Sequence, residues 1–315
     1  MIFDIILVKV VVIVKIVCVG HATYDITLPV NEYPKENYKH RIDKKVECGG
    51  GPAANAAYLL AKWKEDVAFV GMVGNDYYGQ AIIKELNSVG VNTEYVEKNS
   101  SASTDTSYII SNNGNGSRTI LTTKTKEFPS LSNPTDIVDA EYILVDGEHY
   151  ETAKEVILRN PKAISILDAG KCTREVANLG ATVNYVVCSK EFAEKFTNTT
   201  IDNSYDSLVD AYKRLESVYK NQTIIITLEG HGSFTKIDDK YEIIPSIKVE
   251  TIDSTGAGDI FHGAFTYFLA QGNELKKSII LSSITSAISV TRIGTRYSIP
   301  TLEEVLDTYS KYEVI

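Results

Sequence analysis

Short apolar runs recur along this chain, with segments of helical spacing between them. Lys15–Gly20, Val67–Val73, Val91–Val96, Tyr142–Val145, Ser165–Leu167, Tyr185–Cys188, Thr223–Thr227 and Ile247–Ile252 read as strands. A helix is expected over Tyr58–Lys64, starting near Pro52, and another over Gln80–Val89 with Gly90 as its stop. Two more are expected over residues 261–270 and along the small-residue run Ser282–Val290. Buried strands alternating with helices imply an α/β fold whose parallel sheet is covered on both faces.

Two stretches break this rhythm. Residues 26–47 alternate only weakly, through Ile26, Leu28 and Val30 and then Arg41–Val46. Ser107–Leu121 places two strand-like runs around Asn112-Asn113-Gly114-Asn115-Gly116, a hairpin signal. Together, about 26–47 and 104–124 are expected to form a small second sheet, a lid over the carboxyl edge of the large one. The expected domain spans 14–315. Met1–Val19 is very apolar but carries Asp4, Lys9 and Lys15, so it fits neither a membrane span nor a signal peptide. Residues 1–13 are therefore expected to be an extension ahead of the domain.

Composition narrows the function. The 315 residues carry a net charge of −9 without a basic run of five or more, which argues against nucleic acid as a partner. The four cysteines, Cys18, Cys48, Cys172 and Cys188, lie far apart without a C-x-x-C pair, as expected of reduced thiols in the cytoplasm. His149 has no Cys or His at metal-ligand spacing.

The strongest chemical signal is Asp253-Ser254-Thr255-Gly256-Ala257-Gly258-Asp259-Ile260-Phe261. A glycine-rich turn that opens a helix presents unpaired N–H groups to an anion, and Gly256 and Gly258 let a phosphate approach the backbone. A carboxylate beside such an anion site repels the phosphate, so it makes sense as a base toward an attacking hydroxyl. Asp259 is the candidate base. The competing reading is an ordinary capping turn, with Asp253 or Ser254 as the cap. Asp25 follows the first strand at the edge where α/β sheets collect ligands, although a lone Asp there is more often a turn residue. Gly49-Gly50-Gly51-Pro52-Ala53-Ala54-Asn55 would let a ligand lie against backbone with Asn55 facing the same cavity, or would serve a tight helix–sheet contact. Glu148 follows another strand end and faces the cavity, the lid or only solvent.

The nine-residue stretch resembles the C-terminal signature of the ribokinase/PfkB family of carbohydrate kinases, Asp-Thr-x-Gly-Ala-Gly-Asp-x-Phe, with Ser254 in place of Thr. Gly50–Asn55 resembles the family's N-terminal signature, Gly-Gly-x-x-x-Asn, and the likeness runs from residue 15 to about 305. It implies a three-layer α/β/α domain with a β-sheet lid that often builds a homodimer, and an ATP-dependent kinase. In that frame Asp25, Gly50, Gly51 and Asn55 bind the sugar. Asp259 accepts the hydroxyl proton, and the amides of Gly256, Ala257 and Gly258 stabilise the transferring phosphoryl group. Ser189, Thr227, Gly230 and Gly232 occupy ATP-contact positions, with Glu229 where the family has Gly.

The resemblance is imperfect at the metal motif. Many members carry Asn-x-x-Glu where this chain has Ser189 and Phe192, so Glu191 is expected to take over the Mg²⁺ role unless the nucleotide and water suffice. A monovalent cation such as K⁺ would be held around Asp253, Thr255, Ser289, Arg292, Gly294 and Ser298. Tyr33-Pro34-Lys35-Glu36, Asn115–Ile120 and Ser189-Lys190 resemble ketohexokinase-like members, which favours a ketose such as fructose. Ribose, 2-keto-3-deoxygluconate and nucleosides stay open, because one frame serves all of them. A Rossmann dehydrogenase would need Gly-x-Gly-x-x-Gly after the first strand, and Gly20–Asp25 lacks it. A sugar sensor without catalysis is the rival from another class. The intact Asp259 argues against it, and the missing metal-motif Glu argues for it.

Overall fold

The computed structural model describes residues 14–114, 116–124 and 139–312. The proposed extension, 1–13, lies outside the described residues. Nine strands form the large sheet: β1 Ile16–Val19, β4 Val67–Gly74, β5 Val96–Asn99, β8 Tyr142–Val145, β9 Ile164–Ala169, β10 Tyr185–Ser189, β11 Thr223–Thr227, β12 Ser233–Ile237 and β13 Lys240–Ile244. Their spatial order is β13-β12-β11-β10-β9-β8-β1-β4-β5, parallel except for the β12–β13 hairpin at one edge.

Alternation along each strand divides the core in two. Val17, Val19, Ile143, Val145, Val186, Cys188, Ile224 and Ile226 point to one face, where they meet α3 Tyr150–Arg159, α4 Arg174–Gly180, α5 Lys190–Thr197 and α6 Tyr205–Val218. Ile16, Cys18, Leu144, Val187 and Ile225 point to the other. There α1 Pro52–Lys62, α2 Tyr77–Val89, α7 Ala257–Ala270, α8 Leu275–Ser289 and α10 Leu302–Tyr312 cover the sheet. Both faces being dry explains the continuous apolar runs, and the three-layer α/β/α architecture follows as expected.

The second sheet is also present. Its strands are β2 Thr23–Val30, β3 Val46–Gly50, β6 Thr106–Asn112 and β7 Arg118–Thr123, in the order β3-β2-β6-β7. Residues 31–45 are loop rather than strand, β6 and β7 form the expected antiparallel hairpin, and β2 joins β6 in parallel.

Two strand expectations fail. Val91–Val96 holds only one bridge, Asn92 to Ala68, and the strand begins at Val96, on an edge with a single neighbour. Ile247–Ile252 joins no sheet. The amides of Ile252 and Asp253 instead donate to Val290 O at the end of α8, at 2.8 and 3.1 Å. The hairpin β12–β13 already occupies the sheet edge this segment would have extended.

Candidate active site

The Asp253–Asp259 turn opens α7. Its N-cap is Gly256, with φ 73° and no side-chain cap, so neither Asp253 nor Ser254 performs the capping that the ordinary reading required. No side chain caps the first turn, so its amides can face an incoming anion, with Ala257 N held only by a long 3.4 Å bond to Ser254 O. Thr295 explains the glycine, since a Cβ on Gly256 would lie 2.1 Å from its Cγ2. A Cβ on Gly258 meets nothing within 4 Å. This contrast separates folding from chemistry. Gly256→Ala is expected to lower both the melting temperature and kcat, since left-handed strain in a non-glycine residue costs about 1–2 kcal/mol before the clash. Gly258→Ala should melt like the wild type yet turn over more slowly, because only the phosphate's approach is obstructed. Calorimetry with initial rates checks both, and a wild-type kcat in Gly258→Ala would remove the phosphate contact.

Asp259 lies in the first turn of α7, half-buried. Asn55 Nδ2 donates to its Oδ2 at 2.7 Å across 204 residues of chain. The Asn55 side chain, expected to contact a sugar, therefore reaches the candidate base. Its Oδ1 accepts from Arg296 Nε at 3.1 Å, and Arg296 Nη1 reaches Glu85 Oε2 at 3.0 Å. Behind α7, His262 Nδ1 lies 2.6 Å from Gly258 O and 3.1 Å from Asp168 Oδ2, and its Nε2 lies 3.1 Å from Val187 O. This ring fastens the glycine-rich turn to β9 and β10. Burial pushes the Asp168 carboxyl above the ordinary carboxylate range despite the opposing His262.

Asp25 does not sit in a turn after β1. It lies inside β2, level with Cys48 of β3 and Ser107 of β6. Its carboxyl is pushed up to about 7 by burial first and then by the charge of Asp259, against the pull of Arg296 and His21. Gly50 makes room for it, because a Cβ there would lie 2.2 Å from Asp25 Oδ2. Gly51, at φ 92°, turns the chain into α1. Glu148 pairs with Lys124 of the small sheet's end rather than standing alone in solvent.

Sequence reasoning missed several site residues. Asp146 accepts from the amides of His21, Ala53 and Glu148 at 2.8, 3.1 and 3.0 Å, joining the end of β1 to the start of α1. Burial pushes its carboxyl up to about 6. His21 meets Asp105 at 2.9 Å where the chain passes between the two sheets. Arg118 of β7 donates to Ser254, so the small sheet touches the Asp253–Asp259 turn directly. The recurrent acids after strand ends were a signal for Asp146. Arg296 left none, because Glu85 is 211 positions away.

The nucleotide-side expectations divide. Ser189 Oγ caps α5 by accepting from Phe192 N and donates to Gly170 O, both at 3.0 Å, so its hydroxyl is already engaged. Thr227 Oγ1 donates to Cys188 O at 3.3 Å at the end of β11. Gly232 is required by the backbone, with φ 98° and Ile244 O 2.0 Å from where a Cβ would sit, whereas Gly230 is unconfined. Glu229 adopts φ 53°, a left-handed conformation that suits the glycine of the family pattern.

Glu191 fits a metal role poorly. Its exposed carboxylate pairs with Lys195 at 2.5 Å, and among the described residues no group of three or more His, Cys, Asp or Glu could hold a metal. Around the proposed monovalent-cation loops, Asp253 accepts from Thr255 N, Thr255 Oγ1 and Gly294 N at 3.0, 2.6 and 3.1 Å. That brings three of the named residues together. The other side chains turn away: Ser289 Oγ donates to Ser286 O, Ser298 Oγ to Thr295 O, and Arg292 pairs with Glu304. Any cation there would rely on backbone carbonyls.

The sequence profile of the pfkB family carbohydrate kinases matches residues 14–302. The chain belongs to this family. It is a phosphotransferase acting on a sugar hydroxyl, with ATP as donor. A deoxyribokinase of Salmonella typhi is 28% identical over 299 residues, covering 92% of this chain and 96% of its own. The ribokinase of Staphylococcus aureus is 26% identical over 305 residues, covering 92% and 98%. The structure of Arabidopsis thaliana ribokinase complexed with ribose and ATP superposes with a TM-score of 0.78 at 22% identity, covering 94% of this chain and 98% of that one. These relatives do not support the ketohexokinase-like branch. Two of the segments that suggested it are an exposed loop, Tyr33–Glu36, and a helix cap, Ser189. Among the described residues no helix is long and apolar enough to cross a membrane.

Proposed function

We propose that this kinase phosphorylates the primary hydroxyl of ribose or 2-deoxyribose. One observation carries the reading: Asp25 of the small sheet and Asn55 of α1 converge on Asp259 at the uncapped start of α7. The deoxyribokinase and ribokinase likenesses, spread over nearly the whole chain, support a pentose over fructose. Asp25, the Gly50–Gly51 backbone, Asn55 and Glu148 hold the sugar hydroxyls. Asp259 takes the hydroxyl proton as the oxygen bonds to the γ-phosphorus and ADP leaves. The amides of Gly256, Ala257 and Gly258 receive the charge on the transferring group. ATP lies over the ends of β10 and β11 against Ser189, Thr227, Gly230 and Gly232. Mg²⁺ bound with the nucleotide would neutralise phosphate charge, and K⁺ would be held by backbone carbonyls near Asp253 and Gly294. Tyr108, Ile120 and Leu121, exposed on the small sheet, suit a homodimer through that sheet.

ADP release from Mg-ATP tests this reading, with ribose, 2-deoxyribose, fructose, 2-keto-3-deoxygluconate and adenosine as acceptors. Each assay is run in potassium and in tetramethylammonium salts. The pentoses are expected to show the highest kcat/KM, with faster turnover in potassium. A higher value for fructose would return the substrate to the ketoses, and equal rates in both salts would remove the cation. Silence across the panel with ATP still bound would favour the sensor.

A further inference from the structure

A buried arginine behind the substrate pocket has no part in the reaction as derived. Arg296 sits in the short helix α9, Thr295–Ser298, and its side chain is 0% exposed. Its guanidinium packs over Tyr58, 5.2 Å from the ring centroid. Nη1 is fixed by Glu85 Oε2, which also accepts from Gly49 N at 2.6 Å. Gly49 is small for this reason, since a Cβ there would lie 2.1 Å from Nη1. The remaining contact is Nε to Asn55 Oδ1 at 3.1 Å, and Asn55 Nδ2 then donates to Asp259 at 2.7 Å.

This arrangement leaves the amide one orientation. A guanidinium only donates and a carboxylate only accepts, so between the two Asn55 must turn its oxygen to Arg296 and its nitrogen to Asp259. Without the arginine the amide oxygen loses its anchor, and only the Asp259 contact still orients the side chain, so the Asn55–Asp259 pair is free to shift together from its position. The donated hydrogen bond also occupies Oδ2, which leaves Oδ1 of Asp259 to the attacking hydroxyl.

Stability alone does not explain the arginine. Nη2 is buried without a protein partner, so the network is incompletely satisfied. Apolar residues of similar volume are often as stable as a buried ion pair, or more so. A buried donor without a partner is a further cost. What the arginine supplies that an apolar residue cannot is the directed N–H toward Asn55, beside a positive charge that acts on Asp25.

We propose that Arg296 is a positioning residue for phosphoryl transfer, acting through Asn55 to hold Asp259 in its reactive orientation, with Glu85 and Gly49 fixing the guanidinium. This rests on Asp259 being the base.

The test is a double-mutant cycle read by steady-state kinetics, using Arg296→Met, Asn55→Ala and their combination. Asp259→Asn is run in parallel and melting curves are recorded for every variant. Arg296→Met is expected to lower kcat about 10–100-fold, the size of effect that follows a misplacement of about 1 Å at a reacting group. KM for ATP should stay within about twofold, because none of these residues is among those proposed to hold the nucleotide. In the Asn55→Ala background, the further loss from Arg296→Met should shrink to less than about twofold, since coupled residues are not additive. Equal fold-losses in both backgrounds, or wild-type kcat in Arg296→Met, would overturn the proposal. Normal turnover in Asp259→Asn would instead overturn the base assignment, whatever the cycle shows. If Arg296→Met does not fold, Gly49→Ala displaces the guanidinium without removing it. The same pattern against Asn55→Ala is then required, and additive losses count against the relay.

Discussion

Replacing Asp259 by Asn is expected to lower kcat by about 10²–10⁴-fold, the usual size of a lost general base. The substitution preserves volume, and Asp259 is half-buried at the start of α7, so the fold has little reason to respond. The new amide would also keep an oxygen for the Asn55 Nδ2 donor that now reaches Asp259 at 2.7 Å. What is lost is the ability to take a proton from the attacking hydroxyl while charge moves onto the γ-phosphoryl oxygens. KM for ATP should therefore change little, because the amides of Ala257 and Gly258 remain in place. Removing the negative charge from the anion site makes ATP binding, if anything, slightly tighter. The measurement is kcat and KM for both substrates at saturating Mg-ATP, with a melting curve to confirm folding. Turnover within about tenfold of wild type, from a folded variant, would rule out general base catalysis by Asp259.

The contrast between Asp259 and Arg296 shows what the sequence could and could not reveal. Asp259 could be nominated from the sequence because the chemistry proposed for it is local: the glycines, the helix start and the acid lie within four positions, Gly256 to Asp259. The same holds for Tyr142–Val145 and Thr223–Thr227, whose bounds match the observed strands, since a strand buried on both faces needs only its own apolar run. Arg296 was invisible because its partners Asn55 and Glu85 lie 241 and 211 positions away and only the fold brings them together. Ile247–Ile252 failed for a related reason. Its β-branched composition describes a chain that can be a strand, and whether a neighbour is free to pair with it is decided elsewhere. Asp25 was identified as a candidate but misplaced, because β1 and β2 are separated by only Gly20–Ala22 while the chain passes from one sheet to the other. Nothing local marks that transfer.

The misplacement of Asp25 changes what its removal should do. In a turn it would be solvated, and Asp25→Asn would cost only sugar affinity. Inside β2 it is buried, with its carboxyl pushed up to about 7 by burial first and then by Asp259, the opposing pull of Arg296 and His21 notwithstanding. An unfolded chain ionises the same group near its ordinary value of about 3.9. Between those two pH values the folded state binds more protons than the unfolded state, so this group's contribution to stability falls as pH rises through the window. Asp25→Asn removes the penalty. The variant is expected to melt above the wild type at pH 8 and to lose the difference as pH falls toward 4. About three pH units correspond to an upper bound of about 4 kcal/mol. Sugar binding should move the other way. A carboxylate accepting hydroxyl hydrogen bonds is worth about 1.5–3 kcal/mol per bond, so KM for the sugar should rise about 10–100-fold while KM for ATP holds. Melting curves of the free protein at pH 5 and pH 8, with sugar titrations at pH 8, decide it. A variant less stable than wild type at pH 8 would show that the buried charge is better compensated than its surroundings imply. An unchanged KM for the sugar would mean that Asp25 does not face the substrate at all.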